Sequence, residues 1–443
     1  MRKVLLLADT GHPATAVQDH IKAITTYSNL HWFIENPLTC KVLYKLDLNY
    51  FDAIGIHYSI KIYKDYYLAD KFRKRVKNYS GIKFVFLQDE YLFADRISAI
   101  LVELGVQLLF TLVDQANMAK AYPYLEFKKI KKITVLTSYV PDSIKAILTR
   151  PFAERPIDIF YRSRSYPFSL GALAQERVTI AEGVKSRASQ HNLKCDISLK
   201  ESDRVYGQTW ISKMQSSRAV LGTESGASIW DFTGDIEKKT KKLLGKYPDV
   251  KFATASRLFL SQYENKVYYA TISPRFFEAA SLRTAMILFP GNYSNILKKD
   301  EHYICLNKDF SNFKEVVNKL NNIEYLTDLT NRTYQDIILS EKYNARQLSK
   351  LVEKEILYLI REIGCTANYI SNNSIVAKLN SIKSRNLLKN YIYLLLSEYK
   401  FILHNFLNFI FDPQYRGIAK FHVLYQGIKR YLFYIFHRFK FIK

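Results

Sequence analysis

Val4-Leu-Leu-Leu-Ala8, followed at once by Asp9 and the Thr10-Gly-His12 turn, is the first of five short apolar runs in the opening 140 residues. The others are Ala53–His57, Phe84–Leu87, Leu108–Val113 and Ile133–Leu136. Each run is too short for a helix, and the amphipathic stretches between them are long enough to hold one. That is the pattern of a parallel sheet buried on both faces and connected by crossover helices. The spacing therefore predicts a Rossmann-like domain over residues 1–150. Its ligand-facing loops follow the strands at Thr10–His12, His57-Tyr-Ser59 and Gln88-Asp-Glu-Tyr91.

The texture changes near residues 137–157, where three prolines and scattered charges suit an interdomain linker. A second alternating series then begins at Ile157–Tyr161. It continues through Lys194–Ile197, Ala219–Leu221, Tyr268–Ile272, Ala285–Phe289 and Tyr303–Leu306. These runs predict a second Rossmann-like domain over residues 151–364, closed by the helical stretch from Glu324 to Ile363. The fold class that follows is α/β, with two Rossmann-like domains facing a cleft.

Residues 365–443 differ again. From Lys378 onward about a dozen Lys and Arg stand against only Glu398 and Asp412. Phe421, Leu424, Tyr425, Ile428, Leu432, Ile435, Phe439 and Ile442 fall at helical spacing, with the basic residues largely off that stripe. The reading is a basic amphipathic helical extension fit to lie on an anionic membrane surface. No stretch reaches the length of a spanning helix, and the N-terminus reads as a strand rather than a signal peptide.

The chain of 443 residues carries a formal charge of +24, which calls for an anionic partner. Nucleic acid is set aside, because no RNP, zinc-finger or helix-turn-helix signature appears and much of the excess charge lies in the aromatic tail. The four cysteines, at positions 40, 195, 305 and 365, form no CxxC pair, so neither a zinc site nor a disulfide framework is expected. A reducing, cytoplasmic location on the inner face of the plasma membrane fits both features.

Two blocks carry a family likeness. One comprises Arg155-Pro-Ile-Asp-Ile-Phe-Tyr-Arg-Ser-Arg164, Tyr206-Gly-Gln-Thr-Trp210 and Leu221-Gly-Thr-Glu-Ser-Gly-Ala-Ser-Ile-Trp-Asp-Phe232. The other is Ser273-Pro-Arg-Phe-Phe-Glu-Ala-Ala280 through Gly291, followed by Glu301-His-Tyr-Ile304 and the stretch to Asn312. Together they resemble the C-terminal, nucleotide-binding half of the glycosyltransferase group 1 family, specifically retaining GT-B enzymes of bacterial surface polysaccharide loci. The likeness covers under half of the chain.

The resemblance implies that Glu278 grips the ribose hydroxyls of a nucleotide sugar. A carboxylate only accepts hydrogen bonds, and a helix N-terminus steadies its charge. Relatives carry another acid eight positions earlier, where this chain has Ala270; Glu224 is the substitute the sequence offers. Arg164 and Arg275 are the preferred diphosphate contacts, with Arg162 beside them and Arg283 on the same helix as Arg275. Gly222 and Gly226 would let backbone approach the donor, and Phe277 completes the donor set.

For the acceptor, Asp89, Glu90 and His57 are the candidates to bind or deprotonate a hydroxyl. Each also has a plain reading as a cap or a satisfied loop residue, as do His12 and His302. No metal site and no bound cofactor are expected. The function implied is metal-independent sugar transfer from a nucleotide diphosphate sugar to a lipid-linked or polysaccharide acceptor, with retention. The competing readings are a sugar-nucleotide epimerase of the same fold and an inactive membrane-associated scaffold.

Overall fold

The computed structural model describes residues 1–12, 14–37, 45–65, 67–124, 129–140, 149–364, 367–368 and 370–381. The amphipathic stripe from Phe421 to Ile442 lies outside the described residues. Among the described residues, no helix is long and apolar enough to cross a membrane.

The first half is built on six parallel strands: β1 (Lys3–Leu7), β2 (His31–Glu35), β3 (Ala53–Ile56), β4 (Ile82–Phe86), β5 (Leu108–Thr111) and β6 (Lys131–Thr134). Their order across the sheet is β2-β1-β3-β4-β5-β6. All five predicted runs are strands. The one not marked, β2, reads His-Trp-Phe-Ile-Glu and sits at the sheet edge, where alternating exposure tolerates polar residues that a central strand would not.

The second half has a five-stranded parallel sheet. It comprises β7 (Ile157–Arg162), β8 (Cys195–Ser198), β9 (Ser217–Gly222), β12 (Ala285–Leu288) and β13 (Ile304–Cys305), ordered β13-β12-β9-β7-β8. The run at Tyr268–Ile272 does not join it. That run belongs to β11 (Glu264–Thr271), which pairs antiparallel with β10 (Ser225–Ile229) as a separate hairpin. Gly226 in this hairpin has φ of 126°, and a Cβ there would lie 1.9 Å from the Tyr269 carbonyl oxygen, so only glycine fits. Val267 and Tyr269 alternate inward and pack into the core of the first half, with Trp230 beside them.

The last long helix also corrects the sequence reading. Ala345–Ile363 is capped by Asn344, which accepts from the Gln347 amide at 3.1 Å, and ends at Gly364 in the left-handed conformation. Its apolar stripe, Leu348, Val352, Ile356 and Ile360, is buried in the first half and does not close the second. Ser349 donates to the Ile24 carbonyl of the Thr15–Thr25 helix at 2.9 Å, and Lys131 of β6 pairs with Glu355 at 2.5 Å. The chain continues onto the same body: Ile375 and Leu379 are buried in that core, and Lys378 donates to the Tyr50 hydroxyl at 2.7 Å.

Candidate functional site

Arg162 ends β7, and the loop after it carries Arg164 and Tyr166. The N-terminal turns of two helices, Gly207–Gln215 and Pro274–Ser281, arrive beside it. Pro274 at the first turn fixes φ where no backbone donor is needed, and Arg275 follows directly. Arg162, Arg164, Tyr166, Arg204, Trp210 and Arg275 line one recess at this strand end.

Glu278, one turn into its helix, accepts from the Trp210 indole at 2.7 Å. Burial pushes its carboxyl above the usual glutamate range, while the Trp210 hydrogen bond and the Arg275 charge pull it down. Asp19, on the Thr15–Thr25 helix of the first half, adds a further upward push, so the two halves meet electrostatically at this carboxylate. The other oxygen of Glu278 has no hydrogen-bond partner among the described residues. The Arg275 guanidinium lies 5.1 Å from the Tyr161 ring centre and 5.6 Å from that of Trp210, and donates to the Arg162 carbonyl at 3.2 Å. Trp210 is thus the hinge pin of the arrangement. Its sequence signal is its place in the Tyr206–Trp210 stretch, which by itself specifies no role.

Four members of the predicted donor set have other work. The guanidinium of Arg162 is taken up by Asp196 at 2.5 Å and by the carbonyls of Asp196 and Asp203, so it anchors β7 to β8 while bordering the recess. Gly222 is needed for packing, since a Cβ there would lie 2.4 Å from the Phe276 ring. Phe277 is 1 % exposed in the core of the second half. Glu224, also buried, accepts from the backbone amides of Asn292 at 3.1 Å and Tyr293 at 2.8 Å and from the Tyr268 hydroxyl at 3.3 Å. It holds the loop after β12, where Tyr293, Ser294 and Asn295 all have left-handed φ. That buried amide cradle costs Glu224 the freedom to stand in for the acid absent at Ala270.

The acceptor candidates separate similarly. His57 is fully buried, its Nε2 3.0 Å from His20 Nδ1 and its Nδ1 2.9 Å from Ser59 Oγ. Ser59 also donates its amide to His57 Nδ1 at 3.2 Å, which leaves the proton on Nε2. Burial and the neighbouring His20, His12 and Lys61 hold His57 well below the ordinary histidine range, so it is a neutral core residue out of substrate's reach. Glu90 is buried too. It accepts from Thr111 Oγ1 at 2.6 Å, from the Leu112 amide at 3.2 Å and from the Tyr122 hydroxyl, and burial raises its carboxyl to about 7. Asp89 alone stays exposed, with φ of 58°, 3.3 Å from the Tyr91 hydroxyl and 4.0 Å from Lys61. His12 and His302 are engaged as structural acceptors of the Ala14 and Lys298 amides. No cluster of three or more His, Cys, Asp or Glu that could hold a metal ion occurs among the described residues.

No family model matches the chain, and no curated protein matches it in sequence. Solved structures do match in fold. An alpha-glucosyltransferase in complex with UDP and a 13-mer DNA containing a central A:G mismatch aligns over 81% of this chain and 100% of its own, at TM-score 0.50 and 10% identity. HepE of Anabaena in complex with UDP-glucose aligns over 81% and 100% at TM-score 0.43 and 10% identity, and TarM over 72% and 57% at 0.41 and 11%. At such identities the likeness concerns architecture. Two parallel α/β sheets, with the loops that follow β4 and β7 meeting at one recess, give this chain the GT-B fold.

Proposed function

We propose that the protein is a glycosyltransferase that takes a sugar from a nucleoside diphosphate sugar. The observation that carries the reading is the convergence of Glu278, Trp210, Arg275 and Arg164 at the C-terminal end of β7. Ligands of doubly wound sheets bind at such strand ends. Glu278 offers a free carboxylate oxygen to the ribose hydroxyls, and Arg275 and Arg164, which form no ion pair with a carboxylate among the described residues, supply guanidinium groups for the diphosphate. The alpha-glucosyltransferase that matches in fold was solved with UDP, which supports a uridine donor among the nucleotides to try first.

In this reading, negative charge grows on the leaving diphosphate as the glycosidic bond breaks. Arg275, Arg164 and the N-terminal turn of the Pro274–Ser281 helix stabilise it. Transfer proceeds with retention: the acceptor hydroxyl attacks on the face the diphosphate leaves, and the leaving oxygen receives its proton. No residue of the chain is then required as base, in keeping with the burial of His57 and Glu90.

The acceptor is a glycan or a lipid-linked glycan at the inner face of the cytoplasmic membrane, held there by the basic tail. A short DNA duplex belongs among the acceptors assayed, since the charge of +24 suits any polyanion and the neighbouring alpha-glucosyltransferase carries DNA. The deciding experiment is a thermal-shift screen of UDP-, GDP- and ADP-sugars, in which a donor stabilises by mass action. A flat response to all of them, with Glu278→Ala indistinguishable from the parent, would remove the proposal.

A further inference from the structure

Three arginines surround one phenol. Tyr166 lies in the loop after β7, with the guanidinium carbons of Arg164 and Arg177 at 5.2 and 4.3 Å from its ring centre. Arg177 comes from the Ala172–Ala188 helix. Burial pushes the Tyr166 hydroxyl up, and the charges of Arg177, Arg164 and Arg275 more than reverse this, leaving it below the ordinary phenol range.

Three other arginines of the second half are matched by carboxylates. Arg162 has Asp196, Arg204 has Glu201 at 2.9 Å, and Arg218 has Asp158 at 3.3 Å. Arg164, Arg177 and Arg275 form no ion pair with any carboxylate among the described residues. The acids around them are engaged: Glu176, on which the charge of Arg177 also acts, binds Lys308 at 2.5 Å, Glu237 binds Lys241 at 2.7 Å, and both Asp231 oxygens accept backbone amides at 2.8 Å. Glu278 offsets Arg275 alone.

Two recesses meet at Tyr166. One is the donor recess bounded by Arg275 and Trp210. The other is bounded by Tyr91 and Leu92 of the first half and Asp231 of the second, and Arg164 and Tyr166 line both. The Arg177 guanidinium lies against the Tyr166 ring, which lines the second recess, and its charge acts on Tyr91 as well. A diphosphate in the first recess engages Arg275 and Arg164 and leaves Arg177 offset only by Glu176, a carboxylate already bound to Lys308. Like charges held together in a partly buried site are costly without a counter-ion.

We propose that the recess between Tyr91 and Tyr166 binds a second anionic group, a phosphate or carboxylate carried by the acceptor, with Arg177 as its principal ligand and Arg164 shared with the donor diphosphate. The inference rests on the donor reading of the first recess and makes the acceptor an anionic glycan or glycan phosphate rather than a neutral sugar.

The test is calorimetric titration of inorganic phosphate, and separately of glucuronate, into the full chain saturated with UDP at fixed ionic strength. Saturable binding of one of them is expected, and which one binds distinguishes a phosphate-bearing from a carboxylate-bearing acceptor. Arg177→Ala should weaken it at least tenfold, Arg177→Lys should restore part, and both should bind UDP within twofold of the parent. Absence of saturable binding of both anions to the UDP-loaded chain overturns the inference. So does an Arg177→Ala variant that loses UDP affinity as fully as Arg275→Ala, which would place Arg177 in the donor site. If UDP fails to bind while phosphate still binds through Arg177, the donor reading falls and the second site stands.

Discussion

Replacing Glu278 should abolish tight donor binding without unfolding the chain. Its free oxygen and the shared one, Oε2, are placed to accept from two ribose hydroxyls, and hydrogen bonds to a charged group contribute about 1.5–3 kcal/mol each. Because Oε2 already accepts from Trp210, the second bond is weaker, and a net loss of about 2–4 kcal/mol is expected, roughly 30- to 700-fold in affinity. Glu278→Ala also strips the Trp210 indole of its acceptor, at about 1–2 kcal/mol of stability. Glu278→Gln keeps an amide oxygen for Trp210, so it separates the two effects: its stability should stay near the parent's while its UDP affinity still falls. Calorimetric titration with UDP reads the affinity and chemical denaturation the stability. The parent should also lose UDP affinity as pH drops, starting above the range of an ordinary glutamate because burial raises this carboxyl, whereas Glu278→Gln should be flat there. If both variants bind UDP within about twofold of the parent, the carboxylate does not clasp the donor.

Glu90 titrates against stability. Its folded value of about 7 lies above the unfolded glutamate value, so the native state holds the proton more tightly; the stabilisation is complete below about pH 4.3 and is lost as pH rises through 7. At about 1.4 kcal/mol per unit, the swing is at most about 3–4 kcal/mol, and Glu90→Gln should remove that slope in denaturation series from pH 5 to 8 while retaining transfer activity. An unchanged slope would mean that the carboxyl is not held protonated. Gly222→Ala drives a methyl into the Phe276 ring and should cost about 1–3 kcal/mol of stability, read as a fall in Tm with UDP affinity per folded molecule unchanged. Ile356→Ala opens a cavity beneath the last long helix and should cost about 2–5 kcal/mol; a loss under about 0.5 kcal/mol would mean that this helix does not seal the first half. Truncation after Ser381, beyond the buried Leu379, should reduce flotation with anionic liposomes, and undiminished flotation would remove the tail from membrane binding.

The sheets were legible because parallel strands are buried on both faces and so appear as unbroken apolar runs, as at Phe84–Leu87 and Ala285–Phe289. β2 was hidden by its edge position. β11 was visible as a run but was placed in the wrong sheet, because alternation in a half-buried hairpin and a buried run blur over five residues. The Ala345–Ile363 helix was correctly read as amphipathic, yet periodicity says which face is buried and not against what. Within the site, Glu278, Arg275 and Arg164 were reached through the family likeness, and the structure brings Glu278 and Arg275 into one cluster around Trp210. Arg162, Gly222, Glu224 and Phe277 sit among the same motifs for a different reason: each is engaged in holding the surrounding fold together. A motif concentrates the residues that build a site along with those that touch its ligand, and only side-chain direction distinguishes them. Nothing in the sequence marks Arg177, since its companions Tyr166 and Tyr91 are 11 and 86 positions away.

That distance points to how the cleft is held. The donor residues ride on the second sheet, whereas Tyr91 and Asp89 ride on the first, so the recess between Tyr91 and Tyr166 exists only if the halves keep a fixed separation. The β10–β11 hairpin supplies the brace. Asp231 donates its amide to the Tyr91 carbonyl at 2.7 Å, Asp95 to the Phe232 carbonyl at 3.0 Å, and Tyr268 to Asn117 Oδ1 at 3.2 Å. Trp230 and Tyr269 meet Tyr122 and Tyr91 edge-on in the core of the first half. Asp231 then spends both carboxylate oxygens on the amides that open the Asp235–Lys246 helix, so the same residue ties the hairpin's exit to the first half and fixes the wall of the second recess. A departure from a plain doubly wound sheet, opaque in sequence as a misplaced strand, is therefore what sets the Tyr91 loop of one half against the arginines of the other.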